Sequence, residues 1–146
     1  MVLEIGTGLG YQAAMLAELA GKVYSVEIID ELAQRAIRRL KQQGYTNVEV
    51  RIGNGYAGWP EHAPFDKVIV AAAPDLIPPP LINQLKAGGR MVIPVGLPVA
   101  QQLVMVEKDL NRKVTTKEIM PVLFSVLEGI GPAYIPSVLI KTSPTK

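Results

Sequence analysis

The chain opens with Val2-Leu3-Glu4-Ile5-Gly6-Thr7-Gly8-Leu9-Gly10-Tyr11, which predicts a short buried strand that turns through glycines into a helix. The apolar residues of this stretch favour the strand. The glycines allow a sharp turn and let a ligand approach the backbone closely. The helix that follows directs its free N–H groups towards that ligand. Such a junction is typical of sites that bind nucleotide-like cofactors.

An acidic residue follows the next predicted strand. Val23-Tyr24-Ser25-Val26 has a strong β preference and ends in Glu27, about 20 residues after the first strand. A carboxylate at this distance can accept hydrogen bonds from both hydroxyls of a ribose. We therefore predict that Glu27 binds the ribose of an adenosine and that the apolar Ile28 lies against one face of the adenine.

The spacing of the glycines distinguishes between two kinds of adenosine cofactor. Dinucleotide sites carry G-x-G-x-x-G, in which the third glycine lets the helix pack beside a pyrophosphate. Here the pattern is G-x-G-x-G, and Tyr11 occupies the position of the third glycine. Glu4 would repel a pyrophosphate but suits the ammonium and sulfonium groups of S-adenosylmethionine. The pattern is not specific by itself, because a plain strand-to-helix turn with a solvated Glu4 would share it.

More specific segments follow the glycine turn. They are residues 23–27, Gly53-Asn54-Gly55-Tyr56-Ala57-Gly58-Trp59-Pro60, the run from Ala63-Pro64-Phe65-Asp66 to Pro74, and the run from Leu85 to Gly96. Together with residues 2–17, in this order and spacing, they resemble the protein-L-isoaspartate O-methyltransferases. The resemblance covers about residues 2–108 and is most specific in the G-x-G-Y-x-G-W and A-P-F-D segments.

The resemblance implies a repair reaction. In that reaction S-adenosylmethionine donates a methyl group to the abnormal carboxylate of an isoaspartyl residue, and the ester then collapses through a succinimide towards normal aspartate. The implied partners are isoaspartyl-containing proteins and peptides. The acceptor carboxylate, with a pKa of about 4, is already ionised at neutral pH, so no catalytic base is required. Positioning and desolvation supply the catalysis.

The predicted cofactor site gathers residues that follow three strands: Glu4, Gly6, Thr7, Gly8, Gly10, Tyr11, Glu27, Ile28, Asn54 and Gly55. The N–H groups of residues 8–11 are assigned to the methionyl carboxylate, and Glu4 is assigned to the ammonium. Asn54 is assigned to the adenine amino group. The family usually has aspartate there, and asparagine keeps an acceptor oxygen but loses the charge, so weaker binding is expected. The alternative interpretation is that Asn54-Gly55 forms a tight turn and does not contact the cofactor.

Two conspicuous residues are left out of the predicted site, and no catalytic residue is assigned. Trp59 is interpreted as a packing residue, and His62 as an exposed loop histidine. The sequence has no cysteine and this single histidine, which argues against disulfides, thiolate metal sites and histidine clusters. No metal is predicted.

Composition is consistent with one enzyme domain spanning residues 1–146. An apolar fraction of 49% is sufficient for a buried core, and the net charge of +2 is too small to indicate nucleic-acid binding. The basic cluster of the second predicted helix lies opposite an apolar stripe formed by Leu32, Ala33, Ala36, Ile37 and Leu40, so it is interpreted as a solvated face. Neither a signal peptide nor a membrane-length apolar run is recognised, and a cytoplasmic location is predicted.

The alternation of strand and helix patterns predicts an α/β fold. We expect a doubly wound, mostly parallel sheet with helices on both faces, the Rossmann-like core of class I S-adenosylmethionine-dependent methyltransferases. Strands are predicted at 2–5, 23–27, 48–52, 67–72, 90–95, 102–107 and 114–123, and helices at 10–20, 30–43 and 78–85. The stretch after Gly129 has strand-like residues at 138–140, and no function is assigned to it.

The family's sequences continue on the N-terminal side of the first glycine strand, whereas this sequence starts at Met1. The resemblance thus predicts a chain that lacks the family's N-terminal segment, with an uncovered apolar surface available for self-association and a substrate pocket short of one wall. Three hypotheses remain open: an isoaspartyl methyltransferase or its core, a cofactor-binding module without turnover, and a methyltransferase of the same fold with another acceptor. An NAD-dependent oxidoreductase has the least support.

Overall fold

Strands and helices alternate along the first half of the chain, as the sequence predicts. The computed structural model describes residues 1–129. The strands are β1 (Val2–Ile5), β2 (Val23–Glu27), β3 (Val48–Ile52), β4 (Phe65–Val70), β5 (Leu85–Leu97), β6 (Ala100–Lys108) and β7 (Val114–Val122). The helices are α1 (Tyr11–Leu19), α2 (Asp30–Gln42) and α3 (Pro79–Asn83), and two short 3₁₀ turns span Gly55–Ala57 and Pro60–His62.

All seven strands belong to one sheet, in the order β3-β2-β1-β4-β5-β6-β7. Neighbours from β3 to β5 pair in parallel, and the β5–β6 and β6–β7 pairs are antiparallel. The predicted doubly wound, mostly parallel sheet is therefore confirmed. Strand order reverses between β1 and β4, which is the position where such sheets bind ligands.

The two faces of the sheet are covered by different elements. Side chains alternate between faces along a strand, so Leu3 and Ile5 share one face while Glu4 points to the other. The Leu3 face packs against the 3₁₀ turns and α3 in a core that includes Tyr56, Trp59, Phe65, Leu81 and Met91. The Glu4 face is covered by α1 and α2, whose contacts are with β2 and β3. Helical structure on both faces is confirmed.

The largest boundary error concerns β5, which begins at Leu85 and not at residue 90. Leu85 pairs with Phe65, and the register then shifts before Lys67 pairs with Arg90. The irregular stretch contains Gly89, where an added Cβ would lie 2.8 Å from the Lys86 carbonyl oxygen. A glycine-rich bulge of this kind interrupts the alternation of polar and apolar residues, so the sequence pattern hides the start of the strand.

The helices leave apolar surface exposed. On α2, Ala33, Ala36 and Leu40 are buried, whereas Ile37 is 36% exposed, so its assignment to the buried stripe is wrong. On α1, a stripe of apolar residues at helical spacing faces outwards, with Met15 62% and Leu19 86% exposed. The outward face of α1 is therefore apolar. Within residues 1–129 no helix has the length and apolar character needed to cross a membrane.

Two sequence-based predictions extend beyond the described residues. The predicted domain spans residues 1–146, and its part from 130 to 146 lies outside the described residues. The strand-like residues at 138–140 lie in that same part.

Candidate cofactor site

A cleft of about 240 Å³ lies at the carboxyl ends of β1, β2 and β4, at the reversal of strand order. Five of the predicted site residues border it: Gly6, Gly8, Glu27, Ile28 and Gly55. The remaining predicted residues, Glu4, Thr7, Gly10, Tyr11 and Asn54, do not line it. The cleft has apolar walls with a few polar groups, which is the usual character of a small-molecule site.

The glycine loop is tied to the end of β2. Gly6 has φ of +96°, a conformation that L side chains rarely adopt, and its N–H donates to the carbonyl of Val26 at 2.9 Å. The N–H of Thr7 donates to the same carbonyl at 3.3 Å. The loop therefore follows directly from β1 and places its backbone against the neighbouring strand.

Glu27 fixes the loop from the end of β2. Its carboxylate accepts from the N–H of Gly8 at 2.8 Å and from the N–H of Ile29 at 3.0 Å. The residue is 7% exposed, and it borders the cleft. Each carboxylate oxygen has a further lone pair that can accept a hydrogen bond from a ligand. Glu27 can therefore hold the loop and bind hydroxyl groups at the same time.

The N–H groups assigned to the methionyl carboxylate need correction. The N–H of Gly8 is engaged by Glu27, and the N–H of Gly10 donates to the carbonyl of Thr7 at 3.0 Å. Two of the four N–H groups predicted to face the carboxylate are thus satisfied within the chain. The reason is that the loop closes on itself and on β2 before α1 begins.

Glu4 lies fully buried in the middle of the sheet, on the face covered by α1 and α2. It pairs in register with Ser25, whose hydroxyl donates to Glu4 Oε1 at 2.5 Å. Burial raises the pKa of Glu4 from 4.5 to about 7, against the opposing effects of the Ser25 hydroxyl and the Gln12 side chain. The Glu4 carboxyl is therefore a buried group whose charge is easily changed near neutral pH.

Asn54 and Gly55 shape the rim that follows β3. The Oδ1 atom of Asn54 accepts from the N–H of Tyr56 at 3.0 Å, which is the turn geometry weighed as the alternative. An added Cβ on Gly55 would lie 2.5 Å from Ile5 Cγ2, so only glycine fits against the end of β1. Asn54 Oδ1 also lies near Gly129, at the edge of the cleft.

Gly10 and Tyr11 have other roles in the structure. A Cβ on Gly10 would approach Ala36 at 3.4 Å, so this glycine lets α1 pack closely on α2. The Tyr11 side chain is 66% exposed, and the guanidinium of Arg39 lies 5.0 Å from its ring centre. Tyr11 points to solvent because it begins α1 on the outer side of the helix. Its side chain takes no part in the cleft.

The far wall of the cleft was missed by the sequence analysis. Residues 125–128 border it. The N–H of Ala73 donates to the Ser125 carbonyl at 2.7 Å, and the N–H of Leu127 donates to the Ala73 carbonyl at 2.9 Å. The Tyr56 hydroxyl donates to the Leu127 carbonyl at 3.2 Å. No local motif marks this segment, because only contacts distant in sequence bring it to the site.

Trp59 and His62 belong to an aromatic cluster. Trp59 is buried, as its interpretation as a packing residue predicts. His62 is half-buried and stacks on Tyr24 with 4.1 Å between ring centres, so its prediction as an exposed histidine is wrong. Arg51 covers the Trp59 ring at 4.4 Å and pairs with Glu61. The cluster is structural and lies outside the cleft lining.

The donor set of the site suits an organic cofactor. In the part of the chain that the structure describes, no group of three or more His, Cys, Asp or Glu residues could hold a metal ion. The cleft combines an engaged carboxylate at Glu27 with the apolar side chains of Ile28 and Leu32. The buried carboxyl of Glu4 lies outside the cleft lining, beside the Ser25 hydroxyl and the Gln12 side chain. The groups that line the cleft fit the ribose hydroxyls and the adenine of S-adenosylmethionine.

Comparison with known proteins assigns the chain to a family. Residues 1–129 match the model of the family described as protein-L-isoaspartate(D-aspartate) O-methyltransferase. A relative from Polaromonas sp. named protein-L-isoaspartate O-methyltransferase 1 is 69% identical over 131 residues, which are 90% of this chain and 56% of the relative. The chain spans about half the length of the curated relatives it matches.

Solved structures agree with this assignment. A protein-L-isoaspartate O-methyltransferase structure superposes with a TM-score of 0.82 at 32% identity, over 88% of this chain and 42% of that one. A Plasmodium falciparum protein, described as a putative protein-L-isoaspartate O-methyltransferase in complex with S-adenosyl-L-homocysteine, has the same fold. Its TM-score is 0.75 at 20% identity, over 87% of this chain and 65% of that one. The chain belongs to the protein-L-isoaspartate(D-aspartate) O-methyltransferase family.

Proposed function

We propose that this chain forms the S-adenosylmethionine-binding core of a protein-L-isoaspartate O-methyltransferase, which methylates the carboxylate of isoaspartyl residues in damaged proteins and peptides. The observation that carries the proposal is the cleft at the reversal of strand order, with Gly6, Glu27 and Gly55 on its border. Membership of the family supports the choice of reaction.

The adenosine half of the cofactor is assigned to the β2 side of the cleft. Glu27 accepts hydrogen bonds from the ribose hydroxyls with the lone pairs that its two backbone partners leave available. Ile28 lies beside it and offers an apolar surface to the adenine. Asn54 lies at the same edge, and its side-chain oxygen is assigned to the adenine amino group. In this arrangement Glu27 keeps its hydrogen bonds to the N–H groups of Gly8 and Ile29 while it binds the ribose.

The methionyl half is assigned to the β1 side of the cleft, where Glu4, which is buried and does not line the cleft, acts on the ammonium through its charge. S-adenosylmethionine supplies a methyl group bound to a positively charged sulfur, which an anionic oxygen can attack. The acceptor carboxylate is ionised at neutral pH, so the chain needs only to hold the reacting groups in line and to exclude water from them.

The test is methyl transfer to matched peptides. Labelled S-adenosylmethionine is incubated with the chain and either an isoaspartyl peptide or its normal aspartyl twin, and S-adenosylhomocysteine binding is measured by calorimetry on the same sample. We expect binding, and transfer to the isoaspartyl peptide alone. The Glu27→Ala variant serves as the control for a disabled cofactor site. Transfer to both peptides, or to neither in the absence of binding, would contradict the proposal.

A second candidate function is a cofactor-binding module without turnover. Binding without transfer to the isoaspartyl peptide would support this candidate. Transfer only to other small acceptors would instead support a methyltransferase of the same fold with a different substrate.

The proposal includes self-association through α1. Tyr11, Met15 and Leu19 are spaced at four-residue intervals and are all largely exposed, which makes one apolar stripe. Sedimentation of the chain and of a Met15→Glu variant tests this part, with the variant expected to shift towards monomer. A cytoplasmic location completes the proposal, and no nucleic-acid partner is included in it.

A further inference from the structure

The cleft contains few polar side chains, and only one of those described can donate a hydrogen bond. Among the described residues that line it, polar side chains belong to Glu27, Ser125 and Glu128, and every other member is glycine or apolar. A carboxylate only accepts hydrogen bonds, whereas a hydroxyl can also donate one. None of these lining residues is lysine, arginine or histidine. The Ser125 hydroxyl is therefore the side-chain donor that this lining offers to an anion.

Ser125 is held in place by its backbone, and its side chain is left available. The Ser125 carbonyl accepts from the N–H of Ala73 at 2.7 Å. The buried Gln101 amide fixes the preceding residue, because it donates to the Phe124 carbonyl at 3.1 Å and accepts from the Phe124 N–H at 2.7 Å. Within residues 1–129 the Ser125 hydroxyl makes no hydrogen bond, and the residue is exposed. A fixed backbone that carries an available hydroxyl is preorganised for a ligand.

Ser125 also lies on the side of the cleft from which a methyl acceptor has to approach. The adenosine is assigned to the β2 side, at Glu27 and Ile28, whereas Ser125 belongs to the far wall, which pairs with Ala73 just after β4. In methyl transfer the attacking oxygen, the methyl carbon and the sulfur are in line. The acceptor therefore enters beside the wall that the adenosine does not occupy.

The acceptor is an anion, and the lining already carries the carboxylates of Glu27 and Glu128. Like charges repel, so a third carboxylate needs a donor to hold it. During transfer one acceptor oxygen forms a bond to the methyl carbon, the methyl–sulfur bond breaks, and its electron pair stays on the sulfur. No proton moves, and the products are a neutral ester and a neutral thioether. The second acceptor oxygen can accept a hydrogen bond throughout.

We propose, on the basis of the function proposed above, that Ser125 is the acceptor-binding residue of this site and that its hydroxyl donates to the carboxylate oxygen that does not attack. A lysine or arginine in this place would stabilise the charged acceptor more before transfer than during it, which slows the reaction. A neutral hydroxyl avoids this effect and can keep its hydrogen bond to the carbonyl oxygen of the ester. Ser125 thus orients the acceptor, while the β2 side of the cleft binds the cofactor.

The test compares Ser125 variants of the whole chain in methyl transfer and in cofactor binding. Transfer to the isoaspartyl peptide at saturating S-adenosylmethionine gives kcat/KM, and calorimetry gives the affinity for S-adenosylhomocysteine. Ser125→Ala should lower kcat/KM about tenfold or more, the loss expected for one hydrogen bond to a charged group, and should leave the affinity unchanged. Ser125→Thr keeps the hydroxyl and should retain most of the activity. Thr116→Ala, which removes an exposed hydroxyl on β7 outside the cleft lining, is the matched control.

A charged variant separates the acceptor from the cofactor. Ser125→Asp places another carboxylate where the acceptor binds and should lower kcat/KM about a hundredfold or more. It should not weaken S-adenosylmethionine, because the sulfonium of that ligand is positive and is attracted by an added negative charge. S-adenosylhomocysteine, whose sulfur is neutral, is the reference for this comparison. A residue that only shaped the wall would not affect transfer and cofactor binding so differently.

The contrary results are distinct from one another. Equal kcat/KM in Ser125→Ala and in the unmodified chain, or full activity in Ser125→Asp, would overturn the role of Ser125 and leave the proposed function in place. A loss of S-adenosylhomocysteine affinity in Ser125→Ala as large as the loss of transfer would also overturn it, because Ser125 would then only support the wall. If the unmodified chain transfers no methyl group to the isoaspartyl peptide, the proposed function fails, and this inference fails with it.

Discussion

The buried carboxyl of Glu4 should make the stability of the chain depend on pH. Its pKa is raised from 4.5 to about 7. Between these values the folded chain retains a proton that the unfolded chain has released, so the free energy of unfolding falls as the pH rises. Each pH unit is worth about 1.4 kcal/mol, so the whole interval amounts to roughly 3 kcal/mol. The stabilising contribution is complete below pH 4.5 and is lost as the pH passes about 7.

Few groups face Glu4, so its contribution to the pH dependence of stability can be separated from that of other residues. Ser25 and Glu27 approach it from β2 and Gln12 from α1, while Ile69 is its partner on β4. Among these only Glu27 carries a charge, and its negative charge raises the pKa further. The Glu4→Gln variant keeps an acceptor for the Ser25 hydroxyl and does not titrate, so it is the matched reference.

The assay is urea unfolding of both proteins from pH 5 to pH 8. Titration of the other carboxyl groups and of the single histidine cancels in the difference between the two proteins. The unmodified chain should lose roughly 3 kcal/mol relative to Glu4→Gln across the range, mostly below pH 7. A difference that stays constant with pH would refute the reasoning, because it would show that Glu4 has the same affinity for protons in the folded and unfolded chains.

Three further substitutions have defined outcomes. Glu27→Ala removes the acceptor of two backbone N–H groups and should lower the free energy of unfolding by about 3 kcal/mol without any cofactor, measured by urea unfolding. Gly55→Ala places a Cβ 2.5 Å from an Ile5 methyl and should cost about 1–3 kcal/mol in the same assay. Asn54→Asp keeps the acceptor for the Tyr56 N–H, so stability should change by less than about 0.5 kcal/mol and S-adenosylhomocysteine affinity, measured by calorimetry, should not fall.

Local sequence patterns were sufficient to predict most of the fold. The apolar run of β1, the β-rich stretch before Glu27 and the polar-apolar periodicity of α2 each encode their own element, and the observed bounds agree closely. Strand β5 was shortened in the prediction because its first residues pass through a glycine bulge, where the register shifts. Periodicity fails at such a point since the chain there no longer alternates between the two faces.

The candidate site was predictable only in part. Gly6, Gly8 and Glu27 are close in sequence to the strands that position them, so a local motif reveals them. Ser25 could have been found, because a hydroxyl between apolar residues of a central strand is unusual and lies on the same face as Glu27. The wall at 125–128 could not, since its position depends on pairing with Ala73, more than 50 residues away.

Glu27 and Glu4 are carboxyl residues on neighbouring strands, but their surroundings differ and so do their roles. Glu27 is held by backbone N–H groups on both oxygens, which favours a fixed carboxylate and ties the glycine loop to α2. Glu4 has one oxygen held by a hydroxyl and the other without a partner, and its pKa is raised by burial. A cation brought to Glu4 favours the charged form, so cofactor binding should release a proton. Affinity for S-adenosylhomocysteine should therefore rise from pH 5.5 to pH 7 in the unmodified chain and stay level in Glu4→Gln, whereas parallel curves would show that the ammonium does not depend on Glu4.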